Sequence, residues 1–547
     1  MTGLSSALLR RFTVYVGLFC LCAVLAASCN RPPTETDGSG SEDPATSQRV
    51  VIGTTLKPRT LDPADIYELA GLGVLYNLGD SLYTYDLGTT ELKPQLATKF
   101  PTISPDGKTY VISVREGVTF HDGEPFNAAA MAFSLQRFIE NGGKPAFLLA
   151  DIVESVEATG EYELTVQLSQ PFAAFPALLA FPGTCAVSPQ AYTIGAGEFT
   201  PNVFVGTGPY RLAEFASDSL RLEPFPDYWG DRPANEGVDI QIYASNSANL
   251  FNAFRTGDVD IAYQTFDASQ IATLLSGADA GQWQAIAAPG TVLNYMVLNR
   301  NQPPLDRKEV RQAIAALVDR PLIVERVLQG LGEPIYSLVP SAFPAYEPVF
   351  EEVYGDGDVE RARALLEAEG FSTKNPVQIE VWHPSGSTIR SSVATTLKAY
   401  ADRELSGLLQ FEPRSVESAT AFSNISKGIY PTFLVDWYPD FLDADNYVQP
   451  FLYCNNGSDA DGCIEGAAQS QGSFFYSDRV NQLIEQQRGS QDPVARQELF
   501  AEIQAILAEE VPYIPLWQSK DYAFARKGID GVTINPSQDF PFWTIAK

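Results

Sequence analysis

Residues 97–138 constrain the fold of this chain more than any other stretch. Ser104-Pro105-Asp106-Gly107 is a turn signal, since Pro presets the second turn position and Gly suits the fourth. Tyr110, Ile112 and Val114 then alternate with Val111, Ser113 and Arg115, the period of a strand. Phe120-His121-Asp122-Gly123 turns the chain again. Asn127 is placed to cap a following helix, with Phe126 ahead of it as a hydrophobic staple. Met131, Leu135 and Phe138 share one face of that helix, and Ala130 leaves it without the reciprocal Glu of a capping box. Turn, strand, loop and helix in such quick succession predict an α/β fold.

This order of residues closely resembles the signature of the large extracytoplasmic solute-binding proteins of ABC importers, the oligopeptide, dipeptide and nickel binding family. The match runs through Ala97, Asp106, Gly107, Tyr110, Arg115, Gly117, Val118, Phe120, His121, Asp122, Gly123, Pro125, Phe126 and Ala128. Further matches flank it. Val50-Val51-Ile52 then Leu61-Asp62-Pro63 resemble the family's opening, and Gly206-Thr207-Gly208-Pro209-Tyr210 its return turn. No Lys-Ser/Thr follows those glycines, so the turn is read as structural and not as a phosphate loop. Asp227-Tyr228-Trp229-Gly230, Gly257-Asp258-Val259-Asp260, Arg311-Gln312-Ala313 and Pro512-Tyr513-Ile514-Pro515-Leu516 extend the likeness to the C-terminus. The resemblance implies a two-lobe periplasmic binding protein type II fold with an extra α/β subdomain inserted in the first lobe. Lobe I is expected over residues 49–300 and 520–547, with the insertion at about 83–203, and lobe II over residues 301–519.

The N-terminus has a separate logic. Arg10-Arg11 precedes an apolar run from Phe12 to Ala27, short for a membrane span and suited to a secretory signal. The run ends Leu25-Ala26-Ala27-Ser28-Cys29, which looks like a lipoprotein signal, with Ala26 where Leu is usual. Residues 1–28 are therefore expected to leave as a signal peptide and Cys29 to carry lipid. Residues 29–48, rich in Pro, Ser, Thr, Gly and acids, read as a flexible tether. The protein is expected on the outer side of the cytoplasmic membrane as a lipid-anchored monomer. A chain with 67 acidic against 37 basic residues does not suit nucleic acid as a partner. Cys454 and Cys463 bracket a polar, Gly-containing loop and would pair in an oxidising compartment. A Cys–Cys metal pair is the alternative, disfavoured because no second pair or His lies near. Cys185 is left as a buried, inert thiol.

The block Trp437-x-x-Asp440-x-x-Asp443-x-Asp445-Asn446 follows the family's Trp-x-x-Asp-x-x-Asp-Pro-Asp-Asn pattern, with Ala444 in place of the usual Pro. By that resemblance Asp440 holds the α-ammonium of a peptide ligand, while Asp443, Asp445 and Asn446 shape the loop. Trp437, Tyr438 and Trp382 are candidate aromatic walls, with core packing as the competing reading. His383 is a further candidate, more simply read as an exposed loop residue. Arg390, Arg414 and Lys427 could meet a ligand carboxylate, and no spacing selects among them. No His-Glu-x-x-His, Gly-x-Ser-x-Gly or Walker loop is present, so no catalytic residue, metal site or cofactor is expected. The expected function is capture of a small solute, foremost a peptide, and its delivery to an ABC permease and its ATPase. Alternatives are a metal chelate, opine or sugar as ligand, or a role as solute sensor.

Overall fold

The computed structural model describes residues 48–547 apart from 245, 264, 265 and 538. The expected signal peptide, the expected lipidation site Cys29 and nearly all of the expected tether lie outside the described residues. An 11-stranded mixed sheet organises the rest. Its main strands are β1 (Val50–Thr54), β2 (Tyr210–Phe215), β3 (Ser219–Pro224), β4 (Val238–Ile242), β5 (Ile261–Tyr263), β6 (Trp283–Leu298), β7 (Val377–Pro384), β8 (Leu409–Val416), β9 (Thr432–Trp437) and β10 (Tyr513–Arg526). They lie in the order β8-β7-β9-β6-β10-β5-β1-β4-β3-β2. Four helices matter below: α1 (Ala128–Glu140), α2 (Thr388–Glu404), α3 (Asp478–Gly489) and α4 (Pro493–Glu510).

The long strands β6 and β10 form an antiparallel ribbon, from Trp283 opposite Arg526 to Val297 opposite Tyr513. One end of the ribbon joins β5, which pairs parallel with β1. The other end joins β9, and through it β7 and β8, again in parallel. Two half-sheets of α/β type are thus linked by two crossing strands. The register breaks between Pro289 and Leu293, midway along the ribbon. Gly290 sits in that break, where a Cβ would lie 2.7 Å from the Ser519 carbonyl. An irregularity of this kind bends a strand locally.

The signature folds as its residues dictate. Ser104 Oγ donates to Asp106 Oδ1 at 2.5 Å and accepts from Thr109 N at 2.9 Å, closing the turn. Thr109–Ser113 pairs with Glu163–Leu168 in a separate four-stranded antiparallel sheet. Asn127 Oδ1 accepts from Ala130 N at 3.0 Å and starts α1. Met131, Leu135 and Phe138 are each at most 1% exposed, and they bury the helix against that sheet. Arg137, on the same helix, binds Asp62 through two 2.7 Å hydrogen bonds and ties the insertion to the Leu61-Asp62-Pro63 segment. The chain then returns to the main sheet at Tyr210, the first residue of β2. Cys454 and Cys463 form a disulfide with Cα atoms 5.7 Å apart, and Cys185 is a buried free thiol. No helix among the described residues is long and apolar enough to cross a membrane.

Candidate functional site

β9 delivers the Trp437–Asn446 loop to the seam between the two half-sheets, and ion pairs hold the loop from behind. Asp445, fully buried, meets Arg488 at the end of α3, with Nη2 2.7 Å from Oδ2 and Nε 2.9 Å from Oδ1. Gln487 donates to the same carboxylate. Asp443 takes a bidentate pair from Arg496 of α4 at 2.9 and 2.7 Å. It also caps the 3₁₀ turn Ala444–Tyr447 by accepting from Asp445 N at 2.8 Å. Ala444 is the first residue of that turn, a position where Pro fits because no internal amide bond is made there. Its replacement of Pro therefore leaves the loop geometry available. Asn446 Oδ1 accepts from Asp440 N at 3.0 Å and from Trp437 Nε1 at 3.2 Å. Leu442 N donates to Tyr85 Oη at 2.9 Å, joining the loop to the other half of the molecule.

This scaffold leaves Asp440 projecting into the seam. Tyr67, from the half built on β1, donates its hydroxyl to Asp440 Oδ1 at 2.5 Å. No salt bridge reaches Asp440 among the described residues. Burial pushes its carboxyl above the usual carboxylate range, and the Tyr67 and Asn446 hydrogen bonds only partly oppose the shift. Asp440 lines a cavity of about 50 Å³ together with Tyr438, Tyr85, Pro182, Ser537 and Asp539. Leu69 and Tyr438 also line an adjoining, more open cavity of about 410 Å³, whose other walls include Leu56, Val292, Ser519, Lys520 and Asp521.

Arg390, in the first turn of α2, lines neither cavity but lies near Tyr438. Its Nη2 donates to Asp436 Oδ2 at 2.8 Å and to Asn294 Oδ1 at 3.3 Å. Its Nε is buried with no hydrogen-bond partner. Burial pushes the Tyr438 hydroxyl up to about 12, Asp436 adds to the shift, and Arg390 opposes it, which places the guanidinium within electrostatic reach of that ring. Arg414 instead pairs with Glu412 and Glu380 on exposed β strands, and Lys427 with Asn424 on an exposed loop.

The other sequence candidates separate. Trp437 packs edge-to-face on Phe451 at 5.1 Å and serves the core behind the loop. Tyr438 is 48% exposed and is a wall of both cavities. Trp382 packs on Tyr430 at 4.9 Å and gives its Nε1–H to Glu380 at 2.9 Å, away from the walls of either cavity. His383 is not an exposed loop residue. It is 5% exposed, because β7 continues to Pro384 and places it on the buried phase of the strand. A larger cavity, about 670 Å³, lies behind the loop and is lined mainly by apolar side chains such as Leu92, Phe100, Phe343 and Phe500. Its charged pair, Asp443 and Arg496, is already mutually satisfied. Sequence reasoning did not find Tyr67, which reaches Asp440 by a long-range hydrogen bond, or Asp539, which tertiary packing brings to the same cavity.

The comparisons with known proteins agree with this architecture. Residues 91–459 match the family model for bacterial extracellular solute-binding proteins, family 5. The chain is 25% identical over 510 residues to the probable D,D-dipeptide-binding periplasmic protein DdpA of Escherichia coli K12, covering 91% of this chain and 94% of that one. It is 26% identical over 504 residues to the glutathione-binding protein GsiB of the same strain, covering 90% and 93%. The structure of HbpA2 from Haemophilus parasuis superposes with a TM-score of 0.78 at 22% identity, over 91% of this chain and 99% of that one. With a ribbon-linked pair of α/β lobes and a family match over most of its length, this chain belongs to the bacterial extracellular solute-binding proteins, family 5.

Proposed function

We propose that this protein captures a short peptide between its lobes and delivers it to an ABC permease. One observation carries the reading: the Asp440 carboxyl stands at the seam with a hydrogen bond from the neutral Tyr67 hydroxyl and, among the described residues, no ion pair to a cation. A carboxylate so placed has a large gain available from an ammonium, and charge-assisted bonds of this kind are roughly twice as strong as neutral ones. Tyr438, a wall of both cavities beside Asp440, supplies apolar surface for the ligand. Both curated relatives are named for ligands of peptide type. Lobe I comprises residues 49–300 and 520–547 and lobe II residues 301–519, with the break at Pro289–Leu293 as the pivot. A ligand bridging both lobes favours the closed form, which the permease recognises, and no chemical turnover is involved. Export through the N-terminal signal and lipid on Cys29 would hold the protein at the outer face of the membrane as a monomer.

Native mass spectrometry of mature protein from a bacterial periplasm tests this. A ladder of retained short peptides is expected, lost in Asp440→Ala. A single non-peptide species, or unchanged peptide occupancy in Asp440→Ala, would overturn the peptide reading.

A further inference from the structure

The cavity of about 670 Å³ behind the Asp440 loop takes no part in the peptide reading, and two parts of the molecule wall it. Leu92, Phe100 and Ile103 line it from the insertion, and Phe343, Leu442 and Phe500 from the opposite side. Hydrogen bonds fix the distance between these walls. Thr90 Oγ1 donates to the Ala342 carbonyl at 3.3 Å, Leu442 N to Tyr85 Oη at 2.9 Å, and Ala173 N to the Arg488 carbonyl at 2.7 Å. Thr90, Leu442 and Ala173 all line the cavity, so the two walls are tied together at three places around it. Phe172 adds a ring contact with Phe441 at 5.9 Å. Four prolines, Pro101, Pro176, Pro344 and Pro493, stiffen the backbone of the walls. Tied rims and stiff walls oppose the collapse that normally removes unfilled space from a protein interior.

The chemistry of the walls says what fits. Their polar groups are largely engaged already. Arg496 gives its guanidinium to Asp443 and Gln487. Ser490 Oγ accepts from Asp492 N at 3.3 Å, and the Gln491 side chain is hydrogen-bonded to the Tyr110 hydroxyl. Glu91 and Gln497 are exposed to solvent. Phe100 is 49% exposed despite its size, and its ring stacks on Tyr83 at 5.8 Å, which leaves apolar surface open to the cavity. An ion entering here would lose hydration without an unengaged counter-charge to replace it, whereas an apolar molecule would cover apolar wall. Small-molecule sites span about 300–1,000 Å³, and this volume falls within that range. It would hold roughly one and a half turns of a helix about 10 Å across, too little for a protein partner.

We propose that this cavity is a second ligand site, separate from the peptide seam, for an uncharged, largely apolar small molecule. Among the described residues Leu442 alone lines both this cavity and that of Asp440, so the two spaces stand back to back. The site does not depend on the peptide reading.

The test uses the full mature chain and two fluorescent probes that share one ring system: neutral N-phenylnaphthylamine, and anilinonaphthalene sulfonate, which carries a negative charge. The neutral probe is expected to bind saturably, one per chain, and to stay bound under an excess of di- to pentapeptides. The sulfonate is expected to bind about tenfold more weakly or less. Ala173→Trp fills the cavity from a half-buried position, and Phe100→Asp puts a charge in its wall. Each is expected to weaken the neutral probe by about tenfold or more, with the melting temperature and peptide retention of wild type. Absence of saturable binding would overturn the site, as would binding that both variants leave unchanged. Displacement of the probe by the peptides would place it in the seam and overturn the second site. A sulfonate bound as tightly as the neutral probe would overturn the uncharged class of ligand.

Discussion

Arg488→Met separates the scaffold of the site from the site itself. The Arg488 guanidinium meets Asp445 through bonds of 2.7 and 2.9 Å, and its face lies 4.7 Å over the Phe172 ring of the insertion. The Asp445 side chain is 1% exposed, so losing the arginine leaves a buried charge hydrogen-bonded by the Gln487 amide, with Arg496 only within electrostatic reach. Breaking a buried pair from one side costs about 3–5 kcal/mol. Unfolding entropy of about 2.1 cal/mol/K per residue gives roughly 1 kcal/mol/K for a cooperative unit of about 500 residues. The melting temperature should therefore fall by about 3–5 °C, and by more if the second lobe melts separately. Asp445→Leu combined with Arg488→Met removes both charges and should recover most of the loss. Differential scanning calorimetry of the two single variants and the double variant is the assay. Peptide retention should fall in Arg488→Met and return in the double variant, because the next residue, Asn446, fixes the Asp440 amide. An Arg488→Met melt within about 1 °C of wild type, or a double variant as unstable as the single, would refute the view that this pair holds the loop.

Two further outcomes follow from the signature and its return turn. Gly208→Ala would place a Cβ 2.6 Å from the Leu78 carbonyl oxygen, so urea denaturation should show a loss of about 1–3 kcal/mol with ligand affinity retained; an unchanged midpoint would sink the close-approach explanation of this glycine. His121 is pushed down to about 4, first by burial, while its Nε2 lies 3.0 Å from the Gly208 carbonyl oxygen. A base with a depressed folded value stabilises fully above its unfolded value near 6.5 and loses that contribution as pH falls toward 4. Between those limits wild type should lose on the order of 2–3 kcal/mol more than His121→Asn does, read from urea curves at the two pH values; parallel losses would show that His121 is not held neutral.

What could be read from the sequence was what neighbouring residues decide among themselves. The turn at Ser104, the cap at Asn127 and the buried face of α1 need only a few consecutive side chains, and each stands where the pattern put it. The loop around Asp440 was legible for the same reason: Asp443 and Asn446 act on amides within a few residues of themselves. What was not legible depends on distant segments. Tyr67 and Asp440 are 373 residues apart, and nothing near either announces the other. Asp539 resembles any surface acid until the packing of Phe540 and Phe542 carries it to the seam. Arg390, Arg414 and Lys427 were equivalent as letters, and only tertiary contacts leave Arg390 with a buried, unused donor. His383 shows the converse error, since Pro384 reads as a strand end while β7 runs through it. The division has a functional logic. A site made of residues from separate lobes is complete only when the lobes meet, so the groups that bind the ligand are those that local sequence is least able to specify.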